Sequence, residues 1–487
     1  MKPVSNRLIV GLAACASSAA LAGPVYHPPG SNLTYGDVTH GQRVQSASSN
    51  PAAAAADRAG RDDGAIRGVV VSTAAGLEYG NIQDLFDLYD EITKAYEPSD
   101  PGEGGGPGQD PDAKPPGGID IGDILDQLDP DVAAAIEALG DEIVRQAALL
   151  GVIRAEGYAR AWLAADIPVV IGNEYLGGTW TFGLNWSGNA KSFGVTEEID
   201  FDLDAARQAI EDWLDTLPSN RPEILPVSDD VVLTPGQNSV LLAIRNDSSL
   251  VSKSTQTSEF NLGYSREAWS TDAGTLYLGI EGHLYLQRLS RLSVRFGDIT
   301  NSEELFDEIR NADFVRDEDV GVDIGALWVA GNYQLGAQLT NINQPTFDFP
   351  DVNLEPYSNP DIIGFLQRDK RYVMDRQLKL EASLFSRNRR WSGNIGVDAN
   401  AATDPLGDNY QWLTVSTGYT MDNWWLPNVR LGYRQNLAGT ELGYLSVGFT
   451  AFRFVNVDIA SALDTVSIDG TTLPQGLMTS IGFQINW

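Results

Sequence analysis

The chain has 487 residues, of which 43% are hydrophobic, and a formal net charge of −33 at pH 7. A chain of this length makes two or three soluble domains or one large β-barrel, and composition does not choose between them, because a barrel alternates lipid-facing and lumen-facing residues. So negative a surface repels nucleic acid, which excludes a direct role in binding DNA or RNA and leaves no nucleic acid among the expected partners.

The N-terminus has the pattern of a secretory signal peptide. Lys2 and Arg7 form a basic region, an apolar run follows it, and Ala20–Ala22 has the small-residue motif that precedes a cleavage site. We therefore predict a signal peptide over residues 1–22 and a mature chain that begins at Gly23. No uninterrupted apolar run of about 18 residues follows, so the sequence predicts no helical membrane span.

A lipoprotein signal is the alternative, because Leu12–Cys15 has the residue types of a lipobox. Cys15 is the only cysteine of the chain. Cleavage after Ala22 removes it, and a mature chain without a thiol has no disulfide, no CxxC redox centre and no cysteine ligand for a metal.

Residues 23–65 are rich in glycine, proline, serine and alanine and precede a first predicted strand at residues 66–79. We predict that residues 66–487 form a β-barrel with two insertions. In the insertion at residues 81–165, apolar residues at helical spacing flank an acidic Gly/Pro linker, for which we expect disorder. The insertion at residues 188–236 contains a further amphipathic helix. We expect these helices to pack on the barrel rim or inside the lumen, with partner binding as the alternative.

From about residue 255 onward, apolar and polar residues alternate in short segments, which is the pattern of half-buried β-strands. A soluble β-sandwich also alternates, but aromatic residues near the segment ends and connections of alternating length favour a membrane barrel. The pattern predicts strands near residues 254–265, 274–287, 319–330, 332–341, 373–386, 390–399, 410–420, 428–436, 441–450, 452–461 and 477–487. With about three more strands before residue 250, the predicted fold class is all-β, a transmembrane antiparallel β-barrel of about 14 strands with helical insertions.

On these strands, one row of side chains is apolar and is expected to face lipid, while the other row is polar and is expected to face the lumen. The lumen-facing candidates are Glu259, Glu281, His283, Lys379, Glu381, Asp398, Arg430 and Arg434. Because unpaired buried charges are costly, we expect opposite signs to pair in a network that holds the barrel shut. A conduction path lined by these charges is the alternative.

The sequence does not indicate an enzyme. His27, His40 and His283 are the only histidines, and His283 lies on the polar row, where we expect Glu281 to satisfy it. A barrel lipase would instead need a serine and a histidine together at the lipid-facing rim. Residues 317–323 are acidic but lack the spacing of a calcium loop, so we expect a solvated loop there. We therefore predict no catalytic residue, no metal site and no cofactor.

At the C-terminus, Ile481, Phe483, Ile485 and Trp487 point to one side of a final strand that ends on an aromatic residue. This ending resembles the C-terminal β-signal that the outer-membrane assembly machinery recognises. A closed barrel leaves no unpaired edge in lipid, so we expect the last strand to pair with the first. The predicted location is the cell outer membrane, with membrane lipid and the assembly machinery as partners.

Five short motifs together indicate a family: Asp323–Leu327, Leu339–Ile342, Val397–Asn400, Asn409–Leu413 and Arg430–Leu437. Through them the chain resembles the TraF-type outer-membrane proteins, a family labelled as plasmid conjugal-transfer proteins, and is similar to FadL-like transporters of hydrophobic compounds. The resemblance covers roughly residues 255–487.

Further upstream, Asn50, Pro51 and Ala52 resemble the short segment that lies as a plug in the lumen of FadL-like barrels. The resemblance implies a channel for a small hydrophobic ligand, with residues 23–65 as the plug. A structural or surface-interaction barrel, associated with conjugal transfer or envelope assembly, is the alternative that the resemblance leaves open.

Overall fold

The computed structural model describes most of the predicted barrel and part of the segment before it. The described residues are 29–39, 44–59, 67–80, 158–173, 176–197, 208–209, 212, 225–226, 231–235, 240–244, 246–295, 298, 308–309, 311–468 and 471–486. The predicted signal peptide, the predicted helices and linker between residues 81 and 157, and Trp487 lie outside them.

Among the described residues, fourteen strands form one closed barrel in which each strand pairs antiparallel with the next along the chain. They are β1 (Arg67–Tyr79), β2 (Tyr158–Asn173), β3 (Gly178–Val195), β4 (Ser249–Thr271), β5 (Gly274–Arg295), β6 (Val315–Val329), β7 (Tyr333–Thr340), β8 (Gln377–Phe385), β9 (Trp391–Asp398), β10 (Trp412–Tyr419), β11 (Asn428–Asn436), β12 (Gly443–Ala451), β13 (Val455–Ala462) and β14 (Gly476–Asn486). The ring closes where β1 pairs with β14, from Gly68 opposite Asn486 to Glu78 opposite Gly476. The predicted barrel of about 14 antiparallel strands is confirmed.

The two ends of the barrel differ in the length of their connections. Short links join β4 to β5, β6 to β7 and β12 to β13 at the end that also holds Asn486. The connections at the opposite end are longer, and the one between β7 and β8 contains a helix, α3 (Pro360–Arg368). This is the asymmetry of bacterial outer-membrane barrels, whose short turns face the periplasm.

The outer face of the wall is apolar and the inner face is polar. Along β5, Leu278, Ile280 and Leu284 are each more than two fifths exposed, whereas Glu281 and His283 between them are buried. Transfer of such a leucine or isoleucine side chain from water to an apolar environment is favourable by about 1.5–3 kcal/mol, so the outer row is stable only against an apolar solvent. The outer wall is therefore a lipid-facing surface.

Aromatic side chains gather on this surface near the end with the short turns. The ring pairs there are Trp180 with Tyr264, Trp269 with Trp328, Trp391 with Tyr419, and Trp424 with Trp425. Amphipathic rings favour the boundary between lipid and water, so this cluster marks one edge of the membrane-spanning band.

The strands on one side of the ring are longer than the sequence predicted. β2 begins at Tyr158, inside the insertion predicted at residues 81–165, and β3 ends at Val195, inside the insertion predicted at residues 188–236. Both predicted boundaries are therefore wrong by eight residues. Residues 187–195 are mostly small or polar and show no alternation, yet backbone pairing with both neighbouring strands keeps them extended.

The acidic residues 317–323, for which a solvated loop was expected, belong to β6. They pair with β5 over their whole length, from Asp317 opposite Gln287 to Asp323 opposite Glu281. Backbone pairing outweighs the low β-propensity of aspartate here, because one side of the strand faces a polar lumen rather than a hydrocarbon core.

The remaining described elements are short. Two helices, α1 (Asn32–Tyr35) and α2 (Ala53–Ala59), flank a 3-10 helix at Val44–Ser48 ahead of the barrel. Small ladders outside the barrel pair Thr346–Asp348 with Arg371–Val373, Ala402–Thr403 with Asn409–Tyr410, and Thr465–Ile468 with Thr471–Pro474, and a further sheet joins Leu225–Pro226, Val231–Pro235 and Val240–Ile244. No helix of the described residues is both long and apolar enough to cross a membrane.

Candidate functional site

The described residues 29–39 and 44–59, here called the lumen segment, cross the inside of the barrel. Gly30 donates its backbone N–H to Ser480 Oγ of β14 at 2.6 Å, and Gln45 Nε2 donates to Asp166 Oδ2 of β2 at 2.7 Å. Farther round the ring, the backbone N–H of Ala55 donates to Ser265 Oγ of β4 at 3.1 Å. Contacts with strands so far apart require the segment to lie in the lumen.

The turn at Asn50, Pro51 and Ala52 is a buried part of this segment. Asn50 is only 2% exposed, and its Oδ1 accepts the backbone N–H of Ala52 at 3.0 Å, which holds the chain in a turn. The backbone of Pro51 lies so close to Gly279 that a Cβ there would come within 2.3 Å of it. The wall is therefore shaped around this turn.

Two lumen-facing residues of β8 bind the segment directly. Lys379 Nζ lies 2.6 Å from Asp37 Oδ2. The Glu381 carboxylate accepts the hydroxyl of Thr39 at 2.6 Å and the side-chain N–H of Asn50 at 3.2 Å, and it also accepts the backbone N–H of Thr39. Both candidates thus hold the lumen segment to the wall.

Arg430 and Asp398 lie inside the wall on other strands. Arg430 Nε donates to Asp458 Oδ1 at 2.7 Å, and Nη1 donates to Thr450 Oγ1 at 2.7 Å, with both charged side chains almost fully buried. Asp398 Oδ2 accepts the backbone N–H of Trp412 at 2.8 Å. The opposite charges of Arg430 and Asp458 therefore pair, and the hydroxyl of Thr34 in the lumen segment donates to the same carboxylate at 2.5 Å.

Arg434 is also buried, and its guanidinium lies 4.2 Å from the centre of the Trp412 ring. Stacking on an aromatic face is a favourable position for a guanidinium, because the ring quadrupole attracts the cation.

His283 does not use the partner that the sequence predicted. Its Nδ1 lies 2.6 Å from Glu259 Oε1, across the ladder on β4, and its ring stacks on Tyr285. Glu281 lies two positions away on the same strand as His283, and it forms no hydrogen bond or ion pair with a described residue. The prediction that Glu281 satisfies His283 is wrong, because a diagonal neighbour on the adjacent strand is closer to the imidazole than a residue further along β5.

These residues surround a cavity of about 210 Å³ inside the barrel. Five of the eight lumen-facing candidates line it, namely Glu259, Glu281, His283, Lys379 and Asp398. Aromatic side chains form another part of the lining, namely Tyr285, Tyr372, Tyr410 and Trp412. Glu381, Arg430 and Arg434 lie away from the cavity lining.

Sequence reasoning missed four carboxylates of the cavity, Asp37, Asp166, Asp323 and Asp375. Asp323 and Asp375 had a usable signal, because each shares the alternation of a predicted strand. Asp166 lies next to the predicted boundary of an insertion, and Asp37 lies in a segment without a periodic pattern. The sequence therefore did not indicate whether either side chain faces the lumen.

Above the cavity, the connection between β9 and β10 folds into the mouth. Arg160 Nη2 lies 2.6 Å from Asp404 Oδ2, and Asp408 contacts both Arg160 and Lys191. Burial by itself would raise the pKa of Asp408, but the cations Lys191 and Arg160 outweigh it and hold that pKa below its ordinary value. Asp408 is thus an anion that ties this connection to β2 and β3.

A second connection, between β7 and β8, is held to the wall at the same end of the barrel. Its helix α3 starts at an N-cap, where Asn359 Oδ1 accepts the backbone N–H of Asp361 at 2.7 Å. At the other end of the helix, Arg291 Nη1 donates to the carbonyl oxygen of Leu366 at 2.7 Å, and Lys253 Nζ lies 2.8 Å from Asp369. Both connections at this end of the barrel are therefore tied to the wall by hydrogen bonds and ion pairs.

Three of the four candidates for the assembly signal lie on β14, and the fourth, Trp487, lies outside the described residues. Ile481, Phe483 and Ile485 are exposed on the outer wall, and they pair with Thr73, Val71 and Val69 of β1. Among the described residues, no group of three or more histidine, cysteine, aspartate and glutamate side chains has the arrangement of a metal site.

Comparison with known sequences gives one family. The sequence model of the family described as F plasmid transfer operon, TraF, protein matches residues 47–398. The match begins inside the lumen segment, at residue 47, and ends at residue 398, whereas the motifs indicated the family over residues 255–487. No curated protein sequence matches the chain.

Comparison with solved structures gives large barrels of low identity. The Pseudomonas putida toluene transporter TodX has 10% identity and a TM-score of 0.39, over 96% of this chain and 99% of that chain. A Pseudomonas aeruginosa FadL homologue has 13% identity and a TM-score of 0.31, over 96% of this chain and 98% of that chain.

Proposed function

This chain belongs to the family described as the F plasmid transfer operon TraF protein, and we propose that it is an outer-membrane channel closed by its own lumen segment. The observation that carries the proposal is the filling of the lumen. Eight strands give a barrel that wall side chains can fill, whereas about 16–18 strands leave an aqueous channel. A ring of fourteen strands is too wide for its own side chains, and here residues 29–39 and 44–59 occupy the space.

The contacts between the lumen segment and the wall support the proposal that the segment can be displaced from the lumen. Its described polar contacts with the wall are hydrogen bonds, such as that of Thr39 to Glu381, and the ion pair of Lys379 with Asp37. Water can replace such partners, because exchanging one hydrogen bond for another changes the free energy by only about 0.5–1.5 kcal/mol. Its apolar side chains pack on the wall in three separate small clusters and not in one continuous core. A continuous apolar core would resist entry of water much more strongly.

We propose small, largely hydrophobic compounds as the cargo. The cavity below the mouth has aromatic side chains next to carboxylates, which suits a compound with an apolar body and a polar end. The surrounding lipid also concentrates such compounds, while a porin-like open pore would favour small hydrophilic solutes.

Single-channel conductance in planar bilayers tests whether the lumen segment closes the channel. The full chain is expected to be closed, and a variant without residues 23–60 is expected to conduct ions steadily. Deletion of residues 98–118, the predicted Gly/Pro linker, removes no described residue and is the matched control, for which we expect a closed barrel. If the 23–60 deletion also stays closed, the channel proposal is wrong and the alternative of a structural or surface-interaction barrel remains.

Uptake by expressing cells tests the cargo. Cells that carry the full chain are expected to accumulate a radiolabelled long-chain alcohol, whose hydroxyl can donate to the carboxylates of the cavity, faster than cells with an empty vector. Equal rates in the two strains would exclude this class of hydrophobic cargo, whatever the conductance of the deletion variant.

A further inference from the structure

The cavity inside the barrel carries an excess of negative charge. Among its lining residues, aspartate and glutamate contribute seven side chains, against one lysine and one histidine. The lysine, Lys379, is already paired with Asp37, and the histidine, His283, is paired with Glu259. The remaining carboxylates therefore share very little positive charge within the described part of the chain.

Glu281 is the most unusual of these carboxylates. It is 5% exposed, lines the cavity, and has no hydrogen-bond or ion-pair partner among the described residues. A buried charge without a partner is strongly unfavourable, so such a carboxylate takes up a proton or is balanced by a cation. The space for a cation lies in the cavity itself, which Glu281 lines.

A neighbouring strand increases the need for compensation. There Glu281 stands directly opposite Asp323, and like charges in this position destabilise a ladder. Asp323 is engaged elsewhere, since its Oδ1 accepts the backbone N–H of Asn341 at 2.8 Å and its Oδ2 lies 3.5 Å from His283 Nε2. The imidazole is therefore held between Glu259 and Asp323, and it acts on Glu281 only through its charge, without a hydrogen bond.

We propose that the cavity binds a small organic cation, with an ammonium group against Glu281. An ammonium group supplies up to three N–H donors and one positive charge, and a charge-assisted bond to a carboxylate is stronger than a neutral one. A hard metal ion fits less well, because it requires several oxygen ligands around one point and the described residues contain no such cluster.

The rest of the cation has an apolar surface to contact. Tyr285 and Tyr372 line the same cavity, and aromatic faces attract both hydrocarbon and ammonium groups. The inference rests on the proposed function in one respect, because it assigns the polar end of the transported compound to an amine.

Binding to the purified full chain in detergent tests the inference without any transport step. The probes are benzylamine, which is protonated at neutral pH, and benzyl alcohol, a neutral compound of similar size and shape. By isothermal titration calorimetry, we expect benzylamine to bind at least about tenfold more tightly than benzyl alcohol. We expect Glu281→Gln to remove this preference, because the amide keeps the shape of the side chain and loses its charge.

Glu267→Gln is the matched control, because Glu267 is an exposed carboxylate on β4 outside the cavity. It is expected to leave the preference for benzylamine unchanged. Equal affinity of the wild type for the two probes, or an unchanged preference in Glu281→Gln, would overturn the inference. Complete competition by potassium chloride at the concentration of the probe would also overturn it, since the cavity would then attract any cation.

Assembly of Glu281→Gln is checked by the difference in gel mobility between unheated and boiled samples. If this variant fails to assemble, the comparison of the two probes on the wild type decides alone. A barrel that conducts after deletion of residues 23–60 but prefers neither probe would contradict only this inference. A barrel that binds benzylamine and stays closed after the deletion would contradict only the channel proposal.

Discussion

Arg430 shows how a buried charge inside the wall is stabilised by partners on the next two strands. Arg430 is 1% exposed and bonds to Asp458, Thr450 and the carbonyl oxygen of Phe449. An arginine with its donors satisfied in this way fixes the register of β11, β12 and β13, since a shift of one residue would turn the side chain toward lipid.

Removing this arginine is expected to be costly. Arg430→Met leaves the carboxylate of Asp458 buried without its cation, so we expect a loss of about 3–5 kcal/mol in the free energy of unfolding. Urea unfolding of the barrel in lipid vesicles, followed by tryptophan fluorescence, measures the change.

The double variant Arg430→Met with Asp458→Leu is expected to recover most of that loss, because neither charge is then left unpaired. Arg390→Met is the matched control, since Arg390 pairs with Asp422 at the exposed turn and is expected to lose less than about 1 kcal/mol. If Arg430→Met cost no more than Arg390→Met, the buried pair would not stabilise the wall.

The direction of these side chains was predictable from the sequence, whereas their partners were not. Alternation along one strand places Glu281 and His283 on the same face. The partner of each depends on the register between strands, which a single strand does not encode, and so His283 was assigned to Glu281 instead of Glu259. The unpaired state of Glu281 could be recognised only in the folded barrel.

At the scale of elements, alternation identifies a strand only where one of its faces contacts lipid. Around Phe260 and Leu262, the side chains of β4 alternate between exposed and buried, and the sequence predicted only residues 254–265 of a strand that extends from Ser249 to Thr271. The upper half, from Ser249 to Ser258, is almost continuously buried on both faces and has no apolar row. The same condition hid the outer ends of β2 and β3 from sequence analysis.

The lumen segment and the wall fit closely enough for one side chain to separate them. Gly279→Val places a Cβ where the backbone of Pro51 now lies, so we expect it to displace the turn at Asn50–Ala52 and to raise the conductance of the full chain in planar bilayers. Gly282→Val on the same strand is the matched control, because a Cβ at Gly282 meets open space, and we expect no change. Equal conductance of the two variants would show that the turn does not close the barrel.

At the scale of the whole molecule, stability in lipid depends on closure of the ring. β14 supplies the last set of hydrogen bonds to both β1 and β13. Without it, two strand edges would be exposed to hydrocarbon, where each unsatisfied backbone group costs several kcal/mol.

Truncation after Gln475 is therefore expected to abolish assembly. The measurement is heat-modifiable gel mobility of the membrane fraction, in which the full chain shifts on boiling and the truncated chain shows no folded band. Deletion of residues 98–118 is the control and is expected to preserve the shift. A folded band from the truncated chain would mean that the ring closes without β14.

The barrel functions as described only if its wall has lipid on the outside and a filled, polar lumen on the inside. Nitroxide labels placed one at a time at residues 278–284 of β5, in the barrel reconstituted into vesicles, test it directly by their accessibility to oxygen and to a water-soluble nickel complex. Labels at the even-numbered positions are expected to be accessible to oxygen, which dissolves in lipid, and labels at the odd-numbered positions to be shielded from it. Even-numbered labels that met the nickel complex more readily than oxygen would show that the apolar row faces water, and the account would be wrong.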